Sequence, residues 1–248
     1  LAGQVSHLDS MQDPFTDLEI NCRSQLSILE SCRYNNPDVK VIFASTRQIY
    51  GVPDYLPVDE RHLVHPTDVN GINKMAGEWY HIVYNNVYGV RATSLRLTNT
   101  YGPRMRVSDA RQTFLGLWLR IIVEGGELVV YGDGRQVRDF NHVDDVVDGL
   151  LRVAVDDQAN GQVYNLGGDE PINLEHLARL LVELAGKGSF RLVPWPENRK
   201  RIDIGDYYGD YRKIRSKLGW CPRISLEEGL RQTLGYYEEH HQHYWEQA

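Results

Sequence analysis

Short apolar runs alternate with longer helical segments in the first part of the chain, and this alternation limits the possible folds more than any other feature. The runs at 39–44 and 92–97 are largely apolar and contain several β-branched residues, as buried parallel strands do. Segment 12–34, with Pro14 near its start and leucines on one stripe, predicts a helix, and segment 68–87 predicts another. Helix and strand alternating in this way predict a doubly wound α/β sheet.

The remaining elements are predicted with less regular spacing. Residues 1–6 are typical of the end of a parallel strand and the loop that leaves it. After residue 99 we expect a helix near 111–124, a strand at 128–131, a helix near 143–155, a strand at 163–166 and helices near 173–186 and 225–242. The last helix ends with His240, His241 and His243, whose spacing offers a single helical pair. This predicts a solvated helix end rather than a metal site.

Composition and charge narrow the possible partners. The net charge of −7 over 248 residues argues against a nucleic-acid surface, which needs clustered excess cation. No apolar stretch approaches membrane-spanning length, so we expect no membrane partner.

Cys22 and Cys32 lie ten residues apart in one predicted helix, a rise of about 15 Å that no disulfide spans. We therefore expect a reducing, cytoplasmic location.

Two glycine-punctuated segments carry arginines at fixed places. Residues 132–140 read Gly-Asp-Gly-Arg-Gln-Val-Arg-Asp-Phe, and residues 96–104 read Arg-Leu-Thr-Asn-Thr-Tyr-Gly-Pro-Arg. Backbone amides can approach phosphates where no Cβ intrudes, and guanidinium groups bind phosphate oxygens bidentately. Together the two segments predict a pocket for a doubly phosphorylated ligand.

With residues 44–51 (Ala-Ser-Thr-Arg-Gln-Ile-Tyr-Gly) and the stretch ending at Lys74, these segments resemble the extended short-chain dehydrogenase/reductase family. Its members are NAD-dependent nucleotide-sugar epimerases and dehydratases. The resemblance runs from residue 1 to about residue 220. It implies NAD as cofactor, a nucleotide-sugar substrate and a homodimer.

The resemblance also implies an incomplete doubly wound parallel, Rossmann-like sheet with a smaller C-terminal α/β substrate domain. Residues 1–98 would be the remaining half of the dinucleotide-binding domain, with 134–168 returning to it. Residues 99–133 and 169–248 would form the nucleotide-sugar-binding domain.

The family's Gly-x-x-Gly-x-x-Gly phosphate turn is absent from this sequence. We interpret the chain as a fragment of a longer enzyme or, alternatively, as a natural protein that lacks this half. In either case the sheet would present an unpaired edge, which dimerisation or a rearranged packing would cover.

The family's catalytic positions are only partly matched. Thr46 matches the hydroxyl residue, although its hydroxyl could instead satisfy backbone at the strand end. Lys74 matches the lysine that lowers the tyrosine pKa and holds the nicotinamide ribose, and Asn70 stands where the tyrosine is expected. An amide cannot take a proton at neutral pH. Asn21 matches an asparagine that braces the active-site backbone near the cofactor, or it is a surface polar residue.

The substrate side is matched more fully. Asn99 matches the residue whose amide reaches the sugar-nucleotide phosphate, or it is a turn-forming asparagine. Arg138 matches the diphosphate-binding arginine, and Tyr131 ends the segment that runs along the base. Asp203 lies near the family's distal Arg-x-x-Asp pair, although Lys200 occupies the place of that arginine.

Two more of these assignments have a purely structural alternative. Lys74 could be a solvated lysine paired with Glu78 one helical turn further on. Arg138 could form a salt bridge with Asp139 or Asp144.

The residues after Thr46 bear on the reaction. The family's 4,6-dehydratases carry Asp-Glu where this chain has Arg47 and Gln48, and its decarboxylases keep the glutamate. We therefore predict NAD-dependent epimerisation by transient oxidation at C4, most like the UDP-glucose/UDP-galactose 4-epimerases. Dehydration and decarboxylation are disfavoured. The alternative is a catalytically impaired or non-catalytic nucleotide-sugar-binding protein.

Overall fold

The structure is a computed structural model that describes residues 3–109, 113–200 and 203–245. The strands are β1 (Lys40–Thr46), β2 (Arg91–Leu97), β3 (Asn99–Tyr101), β4 (Glu127–Tyr131), β5 (Val137–Arg138), β6 (Phe140–His142), β7 (Val163–Leu166), β8 (Ile172–Asn173) and β9 (Ser189–Val193). The helices are α1 (His7–Gln12), α2 (Pro14–Leu18), α3 (Ser24–Asn35), α4 (Val69–Tyr88), α5 (Phe114–Val123), α6 (Val143–Val155), α7 (Leu174–Ala185), α8 (Glu197–Lys200), α9 (Arg212–Leu218), α10 (Leu226–His240) and α11 (Gln242–Trp245). None of the helices described in these ranges is long and apolar enough to cross a membrane.

Three parallel strands form the main sheet in the order β1–β2–β7. Thr46 pairs with Leu97, and Leu97 pairs with Leu166, so the carboxyl ends of the strands meet at one edge. In open α/β sheets, ligands bind outside that edge. The outer side of β1 has no partner among the described strands.

The other strands form two-stranded pairs. β3 with β6 and β4 with β9 are parallel, and β5 with β8 is antiparallel. One apolar core packs α5, α7 and α10 against β4, with Leu115, Leu177 and Leu230 fully buried. A second core packs the main sheet against α6, and Ile214 and Trp220 complete it from the C-terminal segment.

The predicted helix over 12–34 is confirmed to within two residues, because α2, a π-helical turn (Glu19–Arg23) and α3 follow one another without a break over residues 14–35. A separate short helix, α1, precedes this run. Asp13 ends α1 and caps α2, because its Oδ1 accepts a hydrogen bond from the Thr16 amide at 3.1 Å, and Pro14 suits the first helical position. The other predicted elements are confirmed to within a few residues. Residues 3–6 form a loop, while 1–2 and 110–112 lie outside the described residues.

Candidate functional site: an anion-binding cleft at the sheet edge

A cleft of about 430 Å³ opens at the carboxyl edge of the main sheet. It is lined from α1, the turn after β1, β3, α5, β4, β5 and the segment at 203–204. The four residues predicted to bind substrate all line it: Asn99, Tyr131, Arg138 and Asp203. The fold thus collects at one place side chains that are up to 104 positions apart (203 − 99).

Arg138 is a buried cation in the wall of this cleft. Its Nη2 atom lies 3.2 Å from Asp203 Oδ1, and its Nη1 donates to the backbone carbonyls of Val137 (2.8 Å) and Gly205. Burial and the nearby Arg47 lower the pKa of Arg138 to about 10, and the Asp203 carboxylate opposes them. The guanidinium is therefore still charged at neutral pH, as an anion site requires.

The alternative partners predicted for Arg138 are wrong, because its carboxylate partner is Asp203. Asp139 is fully buried and accepts hydrogen bonds from the Gly209 amide at 3.0 Å and from the Tyr211 hydroxyl. Asp144 is largely exposed on α6, and the ion pair that it forms is with a histidine. Asp139 instead anchors the 209–211 segment behind the cleft.

Arg47 is a second cation in the cleft, and the sequence did not indicate this role. Its Nη2 donates to Asn99 Oδ1 at 3.3 Å, and its guanidinium carbon lies 5.0 Å from the centre of the Tyr207 ring. Its Nη1 is buried without a hydrogen-bond partner among the described residues. A buried charged donor left unpaired is costly, so this atom favours an anionic ligand oxygen. The amide of Asn99, in turn, donates to the Asp139 carbonyl at 2.8 Å.

An aromatic pair lies at another part of the cleft wall. The rings of Tyr131 and Trp195 are 5.5 Å apart at an interplanar angle of 38°. Gly132, with φ of 71°, passes so close to Trp195 that a Cβ there would lie 2.5 Å from the indole Nε1. The glycine turn of the 132–140 segment therefore admits a flat aromatic ring beside Tyr131. Nothing in the motif pattern singled out Trp195.

Asn70 lies in the first turn of α4 and is held by a buried carboxylate. Its Nδ2 donates to Asp17 Oδ2 at 3.1 Å and to the Gln4 carbonyl at 2.8 Å. Asp17 is fully buried and also accepts hydrogen bonds from the amides of Asn21 (3.1 Å) and Asn73 (2.8 Å). Three amides thus solvate one carboxylate, and both N–H donors of Asn70 are engaged.

Two sequence alternatives are wrong at this cluster. Asn21 is fully buried rather than a surface residue, and its Nδ2 also donates to the Gln4 carbonyl at 2.9 Å. Lys74 is 9% exposed rather than solvated, and its Nζ donates to the Ala44 carbonyl at 3.1 Å. Glu78 instead accepts three hydrogen bonds, of 2.6–3.2 Å, from the buried Arg96.

Lys74 and Thr46 lie on either side of the carboxyl end of β1. Burial lowers the pKa of Lys74, and the Asp17 carboxylate opposes that shift. Thr46 Oγ1 accepts a hydrogen bond from the Gln48 amide at 3.2 Å, so this hydroxyl does satisfy strand-end backbone. Its own O–H remains a donor that can turn towards a ligand.

The fold and the cleft define a class, an α/β protein with a Rossmann-like parallel sheet and two cleft arginines at the carboxyl edge of that sheet. The model of the NAD dependent epimerase/dehydratase family matches residues 1–167, and the chain belongs to that family. The predicted family and fold class are thereby confirmed.

Individual relatives carry out different reactions. A putative UDP-glucose 4-epimerase of Methanocaldococcus jannaschii is 30% identical over 95% of this chain and 74% of that protein. UDP-glucuronic acid decarboxylase 1 of Xenopus tropicalis is 30% identical over 98% of this chain and 57% of that protein. The crystal structure of a Thermotoga maritima UDP-glucose 4-epimerase with UDP-glucose is 32% identical, with a TM-score of 0.88 over 97% of this chain and 76% of that one. The family is enzymatic, and its members differ in reaction.

Proposed function

We propose that the protein is an NAD-dependent nucleotide-sugar epimerase, most like the UDP-glucose 4-epimerases, acting by transient oxidation at C4 of the sugar. The observation that carries the proposal is a pair of arginines in one cleft, the buried Arg138 and the half-buried Arg47. Arg138 and the unpaired Nη1 of Arg47 suit the two phosphates of a nucleotide diphosphate sugar. The solved relative with UDP-glucose supports the same ligand class.

The residue at position 48 favours epimerisation over dehydration or decarboxylation. Gln48 lines the cleft and its Nε2 donates to the Asp68 carboxylate at 3.1 Å. A neutral amide supplies no acid or base for removing water. We therefore assign no elimination chemistry to this side of the cleft.

Lys74 fits the role of binding NAD. Its ammonium makes one hydrogen bond to the described residues, which leaves two N–H donors for ribose hydroxyls. Asn21 holds the adjacent loop through Gln4, and Gly3 lies so near that a Cβ there would be 3.2 Å from Lys74 Nζ. The chemistry supplied by NAD at this place would be reversible hydride transfer with the sugar carbon. Thr46 would orient the sugar hydroxyl.

We also propose a cytoplasmic homodimer. Ile72, Trp79 and Val83 form a stripe along α4 and are 49%, 52% and 45% exposed. Apolar side chains at this helical spacing suit a helix–helix contact with a second copy. Sedimentation should show a dimer that Trp79→Glu dissociates.

The alternative is a nucleotide-sugar-binding protein without catalysis, and the fixed Asn70 is the observation in its favour. The test mixes the protein with NAD and UDP-glucose, follows UDP-galactose by chromatography and measures UDP-glucose affinity by calorimetry. Formation of UDP-galactose supports the epimerase. Binding without product, across a panel of nucleotide sugars, supports the alternative, and absence of binding overturns both.

A further inference from the structure

We propose that His7, oriented by Asp68, is the residue that takes the proton of the reacting sugar hydroxyl and returns it. This inference rests on the proposed epimerase function. It assigns the acid–base role that Asn70 cannot perform to a side chain from a neighbouring helix.

His7 is placed to act in the cleft. It is the first residue of α1, it lines the cleft wall and its side chain is 36% exposed. Its Nδ1 is buried and lies 2.9 Å from Asp68 Oδ2. The two atoms are close, but Nδ1 makes no hydrogen bond of good geometry to any described residue. The exposed edge of the ring therefore carries Nε2 towards the cleft.

Asp68 is held rigidly as an ionised partner. Its side chain has no exposed surface, its Oδ1 accepts from the Gly71 amide at 2.7 Å and its Oδ2 accepts from Gln48 Nε2 at 3.1 Å. Burial acts to raise the pKa of Asp68, but the contacts with His7, Gly71 and Gln48 outweigh it and lower that pKa. A fixed carboxylate at Nδ1 stabilises the imidazolium that forms when Nε2 takes a proton.

The imidazole lies beside the position that the family motif reserves for the phenol. Asp68 precedes Asn70 by two residues, and the backbone N–H of Asn70 donates to Ser10 Oγ of α1 at 3.3 Å. α1 thus packs on the first turn of α4, with the Asn70 side chain directed at Asp17 and His7 on the cleft side. A proton acceptor from α1 can therefore serve the same reacting centre.

The proton balance of the step is simple. His7 Nε2 would accept the hydroxyl proton while the nicotinamide of bound NAD would take the hydride from the sugar carbon, which leaves a neutral ketone, a reduced cofactor and an imidazolium. The imidazolium gives the proton back to the ketone oxygen when the carbon is reduced on its other face. No further acid or base is required.

The test compares His7→Gln and Asp68→Asn with the parent and with His176→Gln, a control on the exposed face of α7. We expect His7→Gln to lower kcat by about 10²- to 10⁴-fold. Asp68→Asn, which keeps the helix cap, should lower kcat while the affinity for UDP changes less than about threefold. The His176→Gln variant should match the parent.

A second readout does not depend on turnover. The NMR signal of the His7 ring, assigned through its loss in His7→Gln, should shift on addition of UDP-glucose and stay in place with UDP. An active parent whose His7→Gln variant keeps its rate would overturn this inference alone. A parent that forms no epimer overturns the proposed function, and this assignment with it.

Discussion

The buried carboxylate of Asp17 supports the sharpest stability prediction, because its partners can be counted. Its Oδ2 accepts from Asn21 and Asn70, and its Oδ1 accepts from Asn73 at 2.8 Å. In Asp17→Asn the new amide can keep its oxygen towards Asn21 and Asn70, so those two bonds survive without their charge. The side-chain nitrogen of the introduced asparagine then faces Nδ2 of Asn73. Two buried hydrogen-bond donors therefore oppose each other.

The cost follows from these contacts. Hydrogen bonds to a charged group contribute about 1.5–3 kcal/mol and neutral ones about 1, while an orphaned buried donor costs about 1–3 kcal/mol. Relaxation of the Asn73 amide recovers part of this, so we expect the free energy of unfolding to fall by about 3 kcal/mol.

Urea unfolding followed by circular dichroism measures this change. Asp54→Asn is the control, since its carboxylate is 69% exposed, and it should stay within about 0.5 kcal/mol of the parent. If Asp17→Asn lowers the free energy of unfolding by less than about 1 kcal/mol, the idea that a buried charge holds Asn70 is refuted.

Two further predictions concern charge in the cleft and a tyrosine outside it. Arg138→Met and Arg47→Met should each weaken UDP binding by about 10- to 100-fold in calorimetry, because each removes a charge-assisted bond, whereas Arg135→Met, 87% exposed, should not. Burial and the Glu30 carboxylate raise the pKa of Tyr84 to about 12. The protonated Tyr84 hydroxyl therefore makes its full contribution to the free energy of unfolding below about pH 10, and this contribution is lost as the pH rises towards 12. Unfolding curves of the parent and of Tyr84→Phe should converge over that window; a constant gap would contradict the assignment.

Local patterns along the chain were enough to predict most of the fold. The strand at 163–166 and the helix at 143–155 form over those same residues, because hydrophobic periodicity and β-branched content act within a few residues of each position. The helix predicted over 12–34 likewise begins at Pro14, next to its cap Asp13, and continues to Asn35. The local pattern did not indicate the π-helical turn within it or the short α1 before it.

The motifs also singled out four residues that line one cleft, Asn99, Tyr131, Arg138 and Asp203, and their substrate-binding role stays a prediction. They did not identify Arg47 as a cleft cation or Trp195 as the partner of the Tyr131 ring. Those roles depend on which neighbours a side chain meets across the cleft.

Tertiary structure alone decided which partners Asn70 and His7 have. Asn70 meets Asp17 across 53 residues of chain, and His7 meets Asp68 across 61 (68 − 7). Each pairing exists because α1 and α2 pack on the first turn of α4, and no period in the sequence encodes that contact. The residue type determines which chemistry a side chain can perform. Packing between segments distant in the chain determines the partner of that side chain, and therefore its charge and its role.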